Sequence, residues 1–183
     1  MKLLIASDLH GSAYYTERLL QRYKADAPDK MLLLGDLLYH GPRNDLPKEY
    51  APKEVITMLN AMKNELFCVR GNCEAEVDQM VLEFPVLADY MLLFLDGRTV
   101  FVTHGHTHNL QNLPPLKKGD ILLHGHTHIP AIETNNAGIT YLNPGSVSLP
   151  KADSPHSYIC YENGVFSFRN LLTGEEYQRY EMK

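Results

Sequence analysis

Aspartate, asparagine and histidine directly follow short apolar segments at five places in this 183-residue chain. In chain order these polar motifs are Asp8-Leu-His10, Gly35-Asp36, Gly71-Asn72-Cys73-Glu74, Thr103-His104-Gly105-His106 and Gly125-His126-Thr127-His128. Apolar segments of this length are typical of buried strands. Ligand sites in open α/β sheets lie beyond the carboxyl ends of the strands, so side chains far apart in the sequence can meet at one rim.

The residue types in these motifs are those of a metal site. Carboxylate, amide oxygen and imidazole suit Mn²⁺, Fe, Zn²⁺ or Mg²⁺. Seven side chains are candidate ligands: Asp8, His10, Asp36, Asn72, His104, His126 and His128. Seven ligands are too many for one tetrahedral ion, but they serve two ions when one carboxylate bridges them. Two ions roughly 3.5–4 Å apart can clamp the attacking and leaving oxygens of a displacement at phosphorus.

The pattern of apolar residues predicts the elements that position these side chains. In the first half, apolar strands at 2–6, 31–34 and 66–70 alternate with helical patterns after Ser12 and from Pro52, which favours parallel pairing. The second half contains closely spaced strand-like segments, which favour an antiparallel or mixed sheet; they lie at 91–95, 99–103, 121–123, 131–134, 139–142, 157–161 and 164–169. We therefore expect two packed sheets with outer helices, and one domain over residues 1–183, because no linker-like stretch divides the chain.

Composition limits the classes of partner. The formal net charge of -5 argues against broad binding of duplex nucleic acid, although a bound metal reverses the charge of a site locally. No run of eighteen apolar residues occurs, so we expect no membrane span. The first apolar stretch is too short for a signal peptide, and three cysteines without ligand spacing fit a reducing compartment. We expect a cytoplasmic protein.

The order Asp-x-His, Gly-Asp, Gly-Asn, His, Gly-His-x-His over residues 8–128 resembles the calcineurin-like metallophosphoesterase superfamily. More narrowly, the motifs at 8–11, 35–44, 71–74 and 143–146 resemble a subgroup of small bacterial phosphodiesterases. The resemblance implies a four-layer αββα sandwich of two mixed β-sheets flanked by helices. It also implies two divalent ions, most often Mn²⁺, with Zn²⁺, Fe²⁺, Ni²⁺ or Mg²⁺ as alternatives, and a homo-oligomer.

The same resemblance assigns a role to each ligand. The first ion would be held by Asp8, His10 and His128, and the second by Asn72, His104 and His126. Asp36 would bridge the two ions, and a hydroxide between them would attack a small-molecule phosphodiester. Asn72, Cys73 and His104 are the predicted catalytic residues.

Two positions depart from the family pattern. Tyr39 occupies the place of a second aspartate, which is not a ligand, so metal binding is not threatened. Cys73 occupies the place of a histidine that in the family stabilises the transition state or protonates the leaving group. A thiol is a weak hydrogen-bond donor, so we expect modest activity on poor leaving groups.

Substrate contacts are harder to read from the sequence. His106 is either a substrate contact or an orienting residue, and Arg43 either pairs with phosphate or is a solvated loop residue. His108 and His124 are expected either to support the ligands without binding metal or to be structural. The polar loop 39–52 and the rim around His106 are expected to select the substrate, since long ordered loops are often functional.

Two other functions remain open on the sequence. A phosphomonoesterase or protein phosphatase could use the same site, but it would need groups that receive a dianionic phosphate. A non-enzymatic metal-binding scaffold is the third reading, because the superfamily includes a retromer subunit that uses this fold mainly for binding partners. Loss of ligands would favour the scaffold, and all seven ligands are present here.

Overall fold

The structure is a computed structural model that describes residues 1–182. Its eleven strands are β1 (Lys2–Ala6), β2 (Lys30–Leu33), β3 (Leu66–Cys68), β4 (Tyr90–Leu95), β5 (Arg98–Thr103), β6 (Ile121–Leu123), β7 (Pro130–Thr134), β8 (Thr140–Pro144), β9 (Ser157–Glu162), β10 (Val165–Asn170) and β11 (Glu176–Glu181). Its helices are α1 (Ala13–Asp26), α2 (Pro52–Asn60) and α3 (Glu76–Val81), with a short 3₁₀ helix at Lys63–Glu65.

The strands form two mixed sheets, as the sequence predicts. The six-stranded sheet has the order β11-β10-β9-β1-β2-β3, and its β1, β2 and β3 are parallel. The five-stranded sheet has the order β4-β5-β6-β8-β7, and its β5, β6 and β8 are parallel. Parallel neighbours bring their carboxyl ends to the same edge, so each sheet contributes loops to one rim.

Side chains of β1 alternate between two hydrophobic cores, because successive residues of a strand point to opposite faces. Leu3 and Ile5 pack between the two sheets, against residues such as Val102 of β5. Leu4 and Ala6 face the outside of the six-stranded sheet, under the helices. Since β1 is buried on both faces, its sequence is a continuous apolar run rather than an alternating one.

The two longer helices cover the outer face of the six-stranded sheet. Ser12 caps α1 by accepting a hydrogen bond from the Tyr15 amide, and α2 begins with a proline at its first turn. Leu19, Val55 and Leu59 are fully buried in the core under these helices. The outer face of the five-stranded sheet is different: Phe101, Leu122 and Tyr141 form a small cluster there. Within the described chain, residues 104–120 include no helix, so this layer is a loop.

Local differences from the expected elements are small. Strand β3 ends two residues earlier than expected. The helix α3 has no counterpart in the expectation: none of its residues is buried, so it carries no apolar stripe that periodicity could detect. Tyr177 and Tyr180 lie on β11, the edge strand of its sheet.

Candidate metal centre

All seven predicted ligands lie in loops that follow parallel strands. The six-stranded sheet supplies Asp8, His10, Asp36 and Asn72 after β1, β2 and β3. The five-stranded sheet supplies His104, His126 and His128 after β5 and β6. The ligand set therefore spans both sheets at the edge where their parallel strands end.

The backbone at this edge is held in an unusual conformation. Five of the seven residues have positive φ: Asp8 (60°), His10 (47°), Asp36 (56°), His126 (67°) and His128 (63°). Such a conformation costs a non-glycine residue roughly 1–3 kcal/mol and persists only where the surroundings impose it. Part of that support is backbone pairing, because the amides of Asp8 and His10 donate to the carbonyls of Gly35 and Asp36.

The first group of ligands consists of Asp8, His10 and His128. The Asp8 Oδ1 lies 3.2 Å from the His128 Nε2 and 3.6 Å from the His10 Nε2. The two Nε2 atoms are 3.2 Å apart. One ligand atom from each residue therefore lies within 4.8 Å of the others, close enough for one ion to bind all three.

The second group consists of Asn72, His104 and His126. The His104 Nε2 lies 3.0 Å from the Asn72 Oδ1 and 3.2 Å from the His126 Nδ1. Asp36 stands between the groups: its Oδ1 is 3.5 Å from the His104 Nε2 and its Oδ2 is 3.8 Å from the His10 Nε2. Each carboxylate oxygen of Asp36 thus faces a different group.

The tautomers of three imidazoles follow from their hydrogen bonds. The Nδ1 atoms of His10, His104 and His128 lie 2.6–2.7 Å from backbone carbonyl oxygens, those of Tyr39, Leu34 and Leu149 respectively. A carbonyl only accepts, so each Nδ1 carries a proton, and the neutral form of each ring presents an Nε2 lone pair to the site. Hydrogen bonds of this kind orient histidine ligands in metal sites.

These contacts test whether the residues fit a cation. The two Nε2 lone pairs of His10 and His128 face each other, and the His104 Nε2 faces an Asn72 oxygen that also accepts. The Asp8 Oδ1 is buried and has no hydrogen-bond partner among the described residues. Buried acceptors turned toward one another are unfavourable unless a positive charge lies between them. The donor set therefore fits divalent ions.

The pKa values of these groups reflect the same close contacts. Burial by itself would raise the pKa of Asp8, yet His10 and His128 hold that pKa well below its usual range. Burial opposes charge on His10, but the adjacent Asp8 raises the pKa of that imidazole. Burial lowers the pKa of His126 to about 4, with help from His104, so this ring stays neutral and free to bind a metal.

Glu74 supports the loops of the site, a role that the sequence pattern alone does not indicate. Its buried carboxylate accepts hydrogen bonds from the amides of Asp36 (2.9 Å), Leu37 (2.7 Å) and Gly71 (2.6 Å). Burial and the charge of Asp36 raise the pKa of Glu74, against these three donors. Glu74 thereby ties the loop after β2 to the loop after β3. The sequence feature that could have indicated this role is a glutamate directly after the Gly-Asn-Cys motif.

Close packing in these loops also requires glycine. A Cβ on Gly125 would lie 1.9 Å from the Ser7 Oγ and 2.8 Å from the Asp8 Oδ2. The hydroxyls of Ser146 and Ser148 donate to the Asp8 carbonyl from behind, at 2.9 and 3.0 Å. The segment that follows β8 therefore supports the loop of Asp8.

Cys73 contacts the residue between the two ligand groups. Its thiol donates to the Asp36 Oδ2 at 3.3 Å and its amide donates to the Asp36 Oδ1 at 3.0 Å. Burial, followed by the charge of Asp36, raises the pKa of this thiol strongly. Cys73 is thus a neutral donor beside the metal ligands.

A pocket of about 410 Å³ opens over the cluster, and its wall includes His10, Asp36, Asn72 and Cys73. Arg43, from the predicted substrate loop, and Lys151 also line it, so two cations lie around the pocket.

His106 does not line this pocket. It is exposed, with its ring centroid 5.5 Å from that of His104 and 6.3 Å from that of His126. His124 is buried and stacks on Tyr141 at 4.4 Å, while His108 lies edge-on to Phe101.

Comparison with known proteins gives the family. The sequence model of the calcineurin-like phosphoesterase superfamily domain matches residues 1–163. The chain belongs to this superfamily. It is 46% identical over 167 residues to phosphodiesterase YfcE of Escherichia coli strain K12, an alignment that covers 91% of this chain and 90% of that relative.

Two further similarities agree with this membership. A solved structure of the E. coli phosphoesterase YfcE superposes with a TM-score of 0.96 at 43% identity, covering 100% of both chains. The probable metallophosphoesterase YsnB of Bacillus subtilis is 27% identical over 178 residues, which is 92% of this chain and 89% of that relative. As in the superfamily, the fold is mixed α/β. Within residues 1–182, no helix has the length and apolar character needed to cross a membrane.

Proposed function

We propose that this protein is a metal-dependent phosphodiesterase that hydrolyses a small or exposed phosphodiester. The observation that carries the proposal is the arrangement of buried acceptors in two groups on either side of Asp36, which a pair of cations would satisfy. The 46% identity to phosphodiesterase YfcE supports the choice of reaction.

In this proposal the seven side chains hold two divalent ions. Asp8, His10 and His128 would hold one ion, Asn72, His104 and His126 would hold the other, and Asp36 would serve both. Mn²⁺ is our first choice, and Zn²⁺, Fe²⁺, Ni²⁺ and Mg²⁺ suit the same oxygen and nitrogen donors. When bound, such a pair polarises the phosphoryl oxygens and lowers the pKa of water enough to supply a nucleophile at neutral pH.

The chain's own residues complete the site. Arg43 and Lys151 surround the pocket with positive charge, which attracts an anionic diester. Asn72 lines the pocket that would receive the phosphoryl group, while His104 is fully buried beside it. The Cys73 thiol is a weak donor to a departing oxygen. His106 stands at the outer rim, where it can contact a group of the substrate beyond the phosphorus.

One observation favours a second candidate, a phosphomonoesterase. Arg43 and Lys151 together could receive the dianionic end of a monoester. The third reading, a metal-binding scaffold, has less support because all seven ligand side chains face one another in the cluster.

Hydrolysis of two substrates with one chromophore separates these functions. With Mn²⁺, we expect bis(p-nitrophenyl) phosphate to be hydrolysed with a higher kcat/KM than p-nitrophenyl phosphate, and a chelator to abolish both rates. A higher rate on the monoester would favour the phosphatase. Stoichiometric binding of Mn²⁺ without any turnover would favour the scaffold.

Three further properties belong to the proposal. Residues 1–183 form one domain, since β9, β10 and β11 from the end of the chain complete the sheet of β1. The protein acts in the cytoplasm, in keeping with three free cysteines. It forms a homo-oligomer, for which the exposed side chains of Tyr90, Leu92 and Phe94 on the edge strand β4 offer an apolar face, and sedimentation measures the state.

A further inference from the structure

A groove on the outer face of the five-stranded sheet adjoins the pocket that opens over the predicted metal ligands, which we call the metal pocket. Its volume is about 390 Å³, within the usual range for small-molecule sites. His126 and Thr127 line both the groove and the metal pocket, so the two spaces meet along this wall. A molecule bound at the metal pocket could therefore extend into the groove.

The chemistry of the groove differs from that of the metal pocket. Leu110, Ile129, Ala131 and Tyr141 supply mostly apolar walls, and Leu110 and Ile129 are 36% and 41% exposed. Among the described residues, no lysine or arginine lines the groove, and Glu133 supplies the single carboxylate. The metal pocket, in contrast, is lined by two cations. The paired spaces are thus charged at one end and apolar at the other.

The groove is held in shape by hydrogen bonds that do not depend on a ligand. The Asn143 Nδ2 donates to the Tyr141 hydroxyl at 2.7 Å and to the Thr127 Oγ1 at 2.9 Å. These two hydrogen bonds hold Tyr141, which lines the groove, in place against Thr127 of the shared wall. On the other side, the Asn109 Nδ2 donates to the Gly105 carbonyl at 3.0 Å and fixes the loop that carries Leu110. Preformed walls reduce the entropic cost of binding.

We propose that this groove binds one ester group of the phosphodiester substrate, and that this group is apolar, such as an aryl group, and carries no second phosphate. The inference rests on the proposed function, because the phosphate lies in the metal pocket while the ester group crosses the His126–Thr127 wall. Glu133 excludes a further anion from the groove by repulsion. Oligonucleotides fit it poorly, because the groups flanking each of their phosphodiesters carry further phosphates.

Binding of unreactive diesters tests the groove without requiring turnover. Calorimetry of the Mn²⁺-loaded protein compares dimethyl phosphate with diphenyl phosphate, which places a phenyl group at the groove whichever way it binds. We expect diphenyl phosphate to bind about tenfold or more tightly, because a phenyl group buries far more apolar surface than a methyl group. Equal affinity of the two diesters would overturn the inference.

Two variants test whether the preference for diphenyl phosphate arises in the groove. Leu110→Asp should reduce the ratio of the two affinities to about threefold or less, since it places a charge in the apolar wall. The matched control Leu172→Asp, on an exposed leucine outside the groove, should keep the wild-type ratio. Because each ratio is measured within one variant, incomplete metal loading cancels from it. An unchanged ratio in Leu110→Asp would place the phenyl group elsewhere and overturn the inference.

Reversing the charge at Glu133 tests its role in the groove independently. Bis(4-carboxyphenyl) phosphate should bind the wild type more weakly than diphenyl phosphate, and Glu133→Lys should recover that affinity. No recovery in Glu133→Lys would remove Glu133 from the groove's selectivity and overturn that part of the inference. A protein that keeps the phenyl preference but hydrolyses no diester would contradict the proposed function while leaving the groove as a binding site.

Discussion

At the scale of single residues, Asp36 is the side chain that contacts both groups of predicted ligands. Its two oxygens face different ligand groups, at 3.5 Å from the His104 Nε2 and 3.8 Å from the His10 Nε2. Its side chain also accepts two hydrogen bonds from Cys73. One carboxylate therefore links both halves of the cluster.

Asp36→Asn should abolish turnover and weaken binding of both metals by about tenfold or more, because it replaces an anionic ligand oxygen with an amide nitrogen that cannot bind a cation. Metal titration and hydrolysis of bis(p-nitrophenyl) phosphate measure the two effects. His108→Ala is the control, since His108 packs against Phe101 and should change neither result by much. Activity of Asp36→Asn near that of the wild type would remove the bridging role.

Cys73 allows a prediction in the opposite direction. Cys73→His should raise kcat on activated diesters, because an imidazolium is a stronger donor to a departing oxygen than a thiol. The rate on bis(p-nitrophenyl) phosphate is measured at equal Mn²⁺ content. Cys73→Ser, which provides a stronger donor than the thiol but no charge, should gain less. An unchanged or lower rate in Cys73→His with intact metal content would contradict the idea.

At the scale of elements, the loops after the strands are built by contacts between loops. Positive φ at five ligand residues is unfavourable for each loop alone, so neighbouring loops must impose it. Glu74 supplies two such contacts to the loop after β2, from the amides of Asp36 and Leu37, and a third within its own loop, from the amide of Gly71.

Glu74→Gln should lower the free energy of unfolding by about 1–3 kcal/mol, since an amide replaces a carboxylate that accepts three buried N–H groups. It should also weaken metal binding, because the loop of Asp36 loses its anchor. Urea denaturation and metal titration measure the two effects. Glu76→Gln, on the exposed side of α3, should stay within about 0.5 kcal/mol of the wild type. Equal free energies of unfolding for the two variants would show that Glu74 does not stabilise these loops.

At the scale of the whole molecule, the predicted metal ligands come from both sheets. Asp8, Asp36 and Asn72 follow strands of one sheet, while His104 and His126 follow strands of the other. Bound ions would add a link between layers that otherwise meet through the apolar core.

Removal of metal should therefore lower Tm by roughly 5–10 °C when the ions are present at about 100 times their Kd. Scanning calorimetry with and without chelator measures this shift, and one transition in both conditions would agree with a single domain. Asp36→Asn should show a much smaller shift with chelator. Two separate transitions, or no shift for the wild type, would contradict the link between the sheets.

The sequence by itself determined the strands after which the predicted ligands lie, and it supplied the residue types from which those ligands are proposed. A strand buried on both faces needs a continuous apolar run, and hard or borderline metal ions prefer carboxylate, amide oxygen or imidazole, so both leave a local pattern in the sequence. The alternation of strands and helices in the first half correctly predicted the parallel strands β1, β2 and β3.

Only the tertiary structure decided the rest, because those features depend on groups distant along the chain. The Glu74 anchor joins amides more than 30 positions away, and the positive φ values exist only where loops constrain one another. The groove beside His126 forms where a loop, rather than a helix, covers the five-stranded sheet. The helix α3 was missed because its residues bury no apolar face, so no periodic pattern marks it. Local chemistry leaves a pattern in the sequence, whereas contacts between distant loops are fixed only when the chain folds.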